Sequence, residues 1–160
     1  MKLAKTAPYD YRRRLPHLQG DSAPVFVKFR TWGHLVVPDF LRDRVLQHCL
    51  HDHGTKLDMH AFVIMPDHVH LLFTPLRDDI GDPYSLVEIL QSLKGASAHA
   101  INRALHRSGP VWDEESFDHV LRSTESFDKT VEYIRQNPVR RGLAASPRDY
   151  SWTWLCEGLR

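Results

Sequence analysis

MPDHVHLLF, residues 65–73, sets the fold of this 160-residue chain. A single valine separates His68 from His70, and the apolar run that follows suits a β-strand. Side chains at i and i+2 of a strand project from the same face, so the two imidazoles stand side by side. Held on a rigid strand, they form half of a site for a divalent metal. A His-x-His pattern alone is more often two ordinary histidines in a half-buried strand. The preceding run, KLDMHAFVIM at 56–65, is apolar on both faces in its second half, which marks a central strand. Pro66-Asp67 supplies a short turn. Residues 56–65 and 69–74 are therefore expected to form a hairpin, with His68 and His70 beside Val63 and Met65.

The elements around this hairpin follow from periodicity. VFVKFRT at 25–31 alternates, with Val25, Val27 and Phe29 on one face and Phe26, Lys28 and Arg30 on the other. Residues 39–49 carry Phe40, Leu41, Val45, Leu46 and Cys49 at helical spacing, predicting a helix that ends near His53-Gly54. Ser85-Leu-Val-Glu88 is a capping box. The helix it opens runs to about Leu105, with Leu86, Leu90, Leu93, Ser97, Ile101 and Leu105 along one stripe and Lys94 and Arg103 on the flanks. WDEESFDHVLR at 112–122 reads as an irregular stretch ending in a short edge strand. A last helix is expected from Ser126, with Phe127, Val131 and Ile134 as its core stripe, stopped by Pro138. Trp152 and Trp154 are expected to pack as a tail. The order strand, helix, strand, strand, helix, edge strand, helix predicts an α+β ferredoxin-like sandwich, with helices packed on a central antiparallel sheet. One domain over 1–160 is expected, with 1–23 a basic arm and 145–160 a C-terminal tail.

Composition narrows the function. Hydrophobic residues make up 42%, enough for a core, and the net charge of +1 provides no global field toward nucleic acid. Affinity for DNA must come from local clusters. The densest is Arg12, Arg13 and Arg14, flanked on the N-terminal side by Tyr9 and Tyr11, a pairing of cations and rings that suits phosphates and stacked bases. Lys28 and Arg30 are further candidates, with Lys94 and Arg103 weaker ones. Cys49 and Cys156 lack the spacing of a zinc or disulfide framework. With no signal peptide and no membrane span in the sequence, a cytoplasmic protein is expected.

A second stretch, YIRQNPVRRGL at 133–143, gives the histidine pair a purpose. Tyr133 and Asn137 are four apart and share a helix face, roughly a quarter to a third of a turn off the core stripe. Separately, they read as an amphipathic ring and a helix-end residue. Together with His68 and His70 they describe a chemistry. Two neutral imidazoles and an amide oxygen leave a divalent cation, Mg²⁺, Mn²⁺ or another transition metal, with open positions. Such a cation polarises a scissile phosphate, and a tyrosine beside it can attack phosphorus and form a covalent intermediate.

YRRRLPH at 11–17, VIMPDHVHLLF at 63–73, WDEESFDHVLR at 112–122, VEYIRQNPVRRGL at 131–143 and DYSW at 149–152 give the chain a specific resemblance. It resembles the single-tyrosine HUH transposases, and among them the REP-associated tyrosine transposases, from about Tyr11 to Trp154. The resemblance implies a ferredoxin-like fold and single-stranded or hairpin DNA as substrate. It implies His68 and His70 as the metal pair, Asn137 as the third ligand, and Tyr133 as the nucleophile that takes the 5′ phosphate and frees a 3′ hydroxyl. Members of the family often carry tyrosine where this chain has Phe117, which sharpens the case for Tyr133. The remaining tyrosines, Tyr9, Tyr11, Tyr84 and Tyr150, have no partner amide. Two rival functions stand beside this one: a non-catalytic ferredoxin-like module that binds single-stranded nucleic acid, and a metal-dependent hydrolase in which Tyr133 is structural. The resemblance is compatible with a monomer or a homodimer.

Overall fold

The computed structural model describes residues 23–160. Five strands, β1 (Val25–Thr31), β2 (Leu57–Ile64), β3 (His68–Pro75), β4 (Trp112–Val120) and β5 (Thr153–Leu155), form one sheet in the order β4-β1-β3-β2-β5. Every neighbouring pair is antiparallel. Three helices, α1 (Asp39–His51), α2 (Leu86–Ala104) and α3 (Thr124–Arg140), pack on it. The first six elements and their order in the sheet are those of the ferredoxin-like sandwich expected from the sequence.

Strand alternation divides the core into two layers. Val25, Val27 and Phe29 of β1 join Val69, Leu71 and Phe73 of β3 on one face, beneath Leu41, Val45 and Cys49 of α1 and Ile89, Leu93 and Ile101 of α2. Ala61 and Val63 of β2 and Leu72 of β3 line the other face, beneath Phe127, Val131 and Ile134 of α3. Each such buried side chain of valine size or larger contributes about 1.5–3 kcal/mol. β2 is buried at every position, Asp58 and His60 included, as a strand covered on both faces must be. The capping box opens α2 as expected: Glu88 N donates to Ser85 Oγ, and Ser85 N donates to the Glu88 carboxylate.

Five expectations are corrected. Pro138 does not stop α3, which continues to Arg140. An interior proline forfeits one helical hydrogen bond and costs about 3 kcal/mol, but here it falls in the last turn and its ring is buried. The helix end is rebuilt around it: Arg141 N donates to Asn137 O (3.1 Å), and Leu143 N to Pro138 O (2.9 Å). Gly142, at φ +71°, then turns the chain away. α3 also starts earlier than Ser126, because Ser123 takes the cap and its hydroxyl accepts from Ser126 N. The stretch at 112–120 is a regular nine-residue strand. Its charged sequence hides it, since after Trp112 its residues are at most half-buried. The C-terminal tail packs on the body as expected, but residues 153–155 within it form a fifth strand on β2, with Trp154 stacked on Phe62 at 5.5 Å. Phe40, placed on the apolar face of α1 by its spacing, is exposed.

Candidate active site on the α3 face of the sheet

The tight β2–β3 turn, closed by Met65 N donating to His68 O at 2.8 Å, begins β3 at His68. His68 and His70 then share the α3 face, with ring centroids 4.8 Å apart and planes nearly perpendicular. Val63 lies directly across from His70, as expected. The first imidazole is oriented from outside the strand, because His68 Nδ1 lies 2.6 Å from Asp67 Oδ1. With Nδ1–H donating to that carboxylate, Nε2 is left free to act as a ligand. Burial alone would raise the Asp67 carboxyl, but the hydrogen bond from His68 and the nearby Arg141 hold it below its usual value. Arg141 Nη2 lies 3.8 Å from the same Asp67 oxygen.

Both histidines are held neutral. Burial lowers His68 against the opposing pull of Asp67. Burial, reinforced by His68, Lys28, Arg140 and Arg141, pushes His70 down to about 3. Neutral imidazoles are what a metal requires of its nitrogen ligands.

α3 brings the other half of the constellation. Asn137 is buried, 6% exposed, with its side-chain nitrogen 3.2 Å from His70 Nε2. It is therefore not a helix-end cap but part of the interface between α3 and β3. Its Oδ1 is buried without a hydrogen-bond partner, a costly state for an amide oxygen. Among the described residues no cluster of three His, Cys, Asp or Glu is placed to hold a metal. A cation here would need the Asn137 amide. Two neutral imidazoles and an unsatisfied amide oxygen fit a divalent ion.

Tyr133 sits one turn before Asn137. Its ring meets His70 edge-on at 5.3 Å and Phe26 edge-on at 6.0 Å. The Arg140 guanidinium lies 4.3 Å over the ring, and Arg140 Nη2 donates to Tyr133 O at 2.8 Å. The side chain is 40% exposed, so it is both anchored and open to a ligand. Tyr150, by contrast, is buried and donates its hydroxyl to Ile64 O at 2.8 Å, a structural use.

The structure thus brings His68, His70, Tyr133 and Asn137 together. Lys28 lies in register with His70, and Arg30 with His68, on the same face. Lys94 is elsewhere. It lies on α2, across the sheet, with its ammonium 2.6 Å from Asp113 O and 5.6 Å from the Phe29 ring centroid. Arg103, exposed near the end of α2, is not brought to the site either. Arg12, Arg13 and Arg14 lie outside the described residues. The sequence reading had missed Asp67, which adjoins His68, and the Arg140-Arg141 pair within the second stretch. Phe26, which alternation had placed on the face of Lys28 and Arg30, stacks its ring on His70 at 5.5 Å.

The model of the family described as "Transposase IS200 like" matches residues 40–137, more than half of the chain and all four clustered residues. The chain belongs to the IS200-like transposase family. Two relatives within reach of sequence comparison are REP-associated tyrosine transposases. A protein of Haemophilus influenzae assigned to them is 29% identical over 98 residues, covering 58% of this chain and 56% of its own. One of Escherichia coli is 25% identical over 96 residues, covering 60% and 53%. The chain spans about half the length of these curated relatives. A solved structure of a REP-associated tyrosine transposase bound to a REP hairpin superposes with a TM-score of 0.64. It covers 82% of this chain and 75% of that one at 19% identity, so the likeness is one of fold.

Proposed function

We propose that this chain is a metal-dependent single-stranded DNA endonuclease and strand transferase that acts at hairpin sequences through a 5′-phosphotyrosine intermediate. One observation carries the reading. Asn137 and Tyr133, one turn apart on α3, both meet His70 of β3, and the buried amide oxygen there has no partner. A core interface would avoid that unsatisfied oxygen, whereas a cation site uses it. The hairpin substrate is suggested by the relatives and by the hairpin held in the solved structure of similar fold.

A divalent cation bound by His68, His70 and Asn137 would polarise the scissile phosphate and offset the charge that builds on it. The remaining chemistry belongs to the chain. Asp67 fixes the His68 ring so that Nε2 is presented. Lys28, Arg140 and Arg141 make the pocket electropositive and draw in the phosphate. The Tyr133 oxygen attacks phosphorus and its proton passes to solvent. The bond to the 3′ oxygen breaks, that oxygen takes up a proton, and the 5′ phosphate remains on Tyr133. The phosphodiester energy is kept in the new ester, so a 3′ hydroxyl can later attack it and rejoin a strand without ATP.

The test is denaturing electrophoresis of the protein mixed with 3′-labelled hairpin DNA and Mg²⁺ or Mn²⁺. Wild type should give a labelled band retarded by the mass of the protein, and Tyr133→Phe should give none. An adduct with the phenylalanine variant would assign the attack to another residue. Binding without any adduct in wild type would leave a nucleic-acid-binding module.

A further inference from the structure

A row of side chains crosses the α3 face of the sheet in direct register: Phe117 on β4, Lys28 on β1, His70 on β3. Directly opposed residues of antiparallel strands share a face and lie close together. α3 rests on β2 and β3, which leaves the β1–β4 half of this face open. Phe117 stands there 59% exposed, on a strand at the edge of the sheet. Its ring meets Phe26 edge-on, with centroids 6.4 Å apart. Phe26 in turn touches both His70 and Tyr133. A cleft of about 310 Å³, lined by Phe26, Lys129, Thr130 and Tyr133, opens beside them. An aromatic surface therefore continues from the edge strand to the Tyr133 ring.

Charge indicates what covers that surface. Lys28 lies between Phe117 and His70 and has no ion-pair partner among the described residues. Together with Arg140 and Arg141 it makes the neighbourhood positive. An exposed ring beside a cluster of cations matches a strand of unpaired nucleotides, which offers a base face and a phosphate at each step. A duplex hides its base faces. An apolar protein patch would leave the cations unanswered.

The geometry points to a base-stacking subsite in which Phe117, backed by Phe26, takes the face of one unpaired nucleobase within one nucleotide of the phosphate that Tyr133 attacks, while Lys28 takes an adjoining phosphate. This rests on the reading of Tyr133 as the nucleophile. Every base has a π face, so the subsite positions the strand without reading its sequence.

The experiment uses the full chain with hairpin DNA carrying 2-aminopurine at single positions on either side of the cleavage site. Binding is followed by fluorescence in a chelator, and adduct formation is followed separately with Mn²⁺. In wild type, one flanking position should be quenched on binding. Phe117→Ala should abolish that quenching and weaken binding about tenfold, near the low end of what base stacking on a ring supplies. Phe117→Trp should restore both effects, and Phe117→Leu, apolar but without a π face, should not. The exposure of Phe117 lets these variants fold, and circular dichroism checks that they do. Wild-type quenching and affinity in Phe117→Ala or Phe117→Leu would overturn the subsite while leaving Tyr133 in place, provided wild type still forms the adduct. Absence of the adduct in wild type would instead remove the reading on which the subsite rests.

Discussion

Acid should destabilise this protein through His70. The side chain is 1% exposed and its pKa is pushed down to about 3, against 6.5 for an ordinary histidine. The unfolded chain therefore takes up a proton at this position as the pH falls through 6.5, while the folded chain does not until near 3. More protons are bound in the unfolded state across that window, so stability is lost as pH decreases. At ~1.4 kcal/mol per pH unit well below 6.5, the share of His70 in the loss between pH 7 and pH 5 is about 2 kcal/mol. His70→Phe keeps a ring against Phe26 and removes the titration. Urea unfolding of both proteins at pH 7 and pH 5, in a chelator so that no cation contributes, isolates the term by subtraction. Wild type should lose about 2 kcal/mol more than the variant, equivalent to about 4–8 °C in Tm for a domain of this size. Equal losses would show that His70 is solvated or readily protonated, and that it is not held ready as a neutral ligand.

Asp67→Ala should weaken Mn²⁺ binding about 10- to 100-fold by calorimetry with little change in the far-ultraviolet spectrum, and unchanged affinity would mean that Asp67 does not orient His68. Tyr150→Phe should cost about 1–3 kcal/mol in urea unfolding, since it strands the Ile64 carbonyl, yet leave adduct formation intact; a lost adduct would make Tyr150 more than structural. Lys94→Ala should lower stability without altering DNA affinity, because its ammonium is bound to backbone carbonyls across the sheet. A weakened complex in a filter-binding assay would contradict that placement. Neutralising Arg12, Arg13 and Arg14 should flatten the salt dependence of single-strand binding by roughly 0.7 log–log units per lost contact, and an unchanged slope would remove the arm from the interface.

The hairpin was legible because a two-residue period and a central strand apolar on both faces in its second half are strong local signals. α2 was legible because its cap and its stripe agree. β4 was not, since an edge strand with both faces largely wet has no alternation to display. The run through Pro138 was hidden for a different reason: the local bias of proline was overcome by burial of its ring and by the packing of Asn137 on β3. The site divides in the same way. Adjacent ligands such as His68 and His70 can be read from spacing, whereas the meeting of Asn137 with His70, 67 residues apart, is a product of packing. Periodicity placed Asn137 only on a helix face, and its pairing with the histidines came from the resemblance. Asp67 and Arg141 went unnoticed because a charged residue beside a turn or a helix end is common and carries no signal until its neighbour is known.

The edge position of β4 has a further consequence. A sheet that ends in a nine-residue strand offers a row of backbone donors and acceptors to any passing strand, the usual route to runaway edge-to-edge pairing. This edge carries Asp113, Glu114, Glu115 and Asp118. A second copy docking there strand to strand would bring two rows of carboxylates together, and that repulsion guards against aggregation. At the opposite edge β5 is only three residues long, too short to template much. Among the described residues the sheet is thus protected by charge at one edge and by brevity at the other, which disfavours edge-to-edge pairing as a route to self-association.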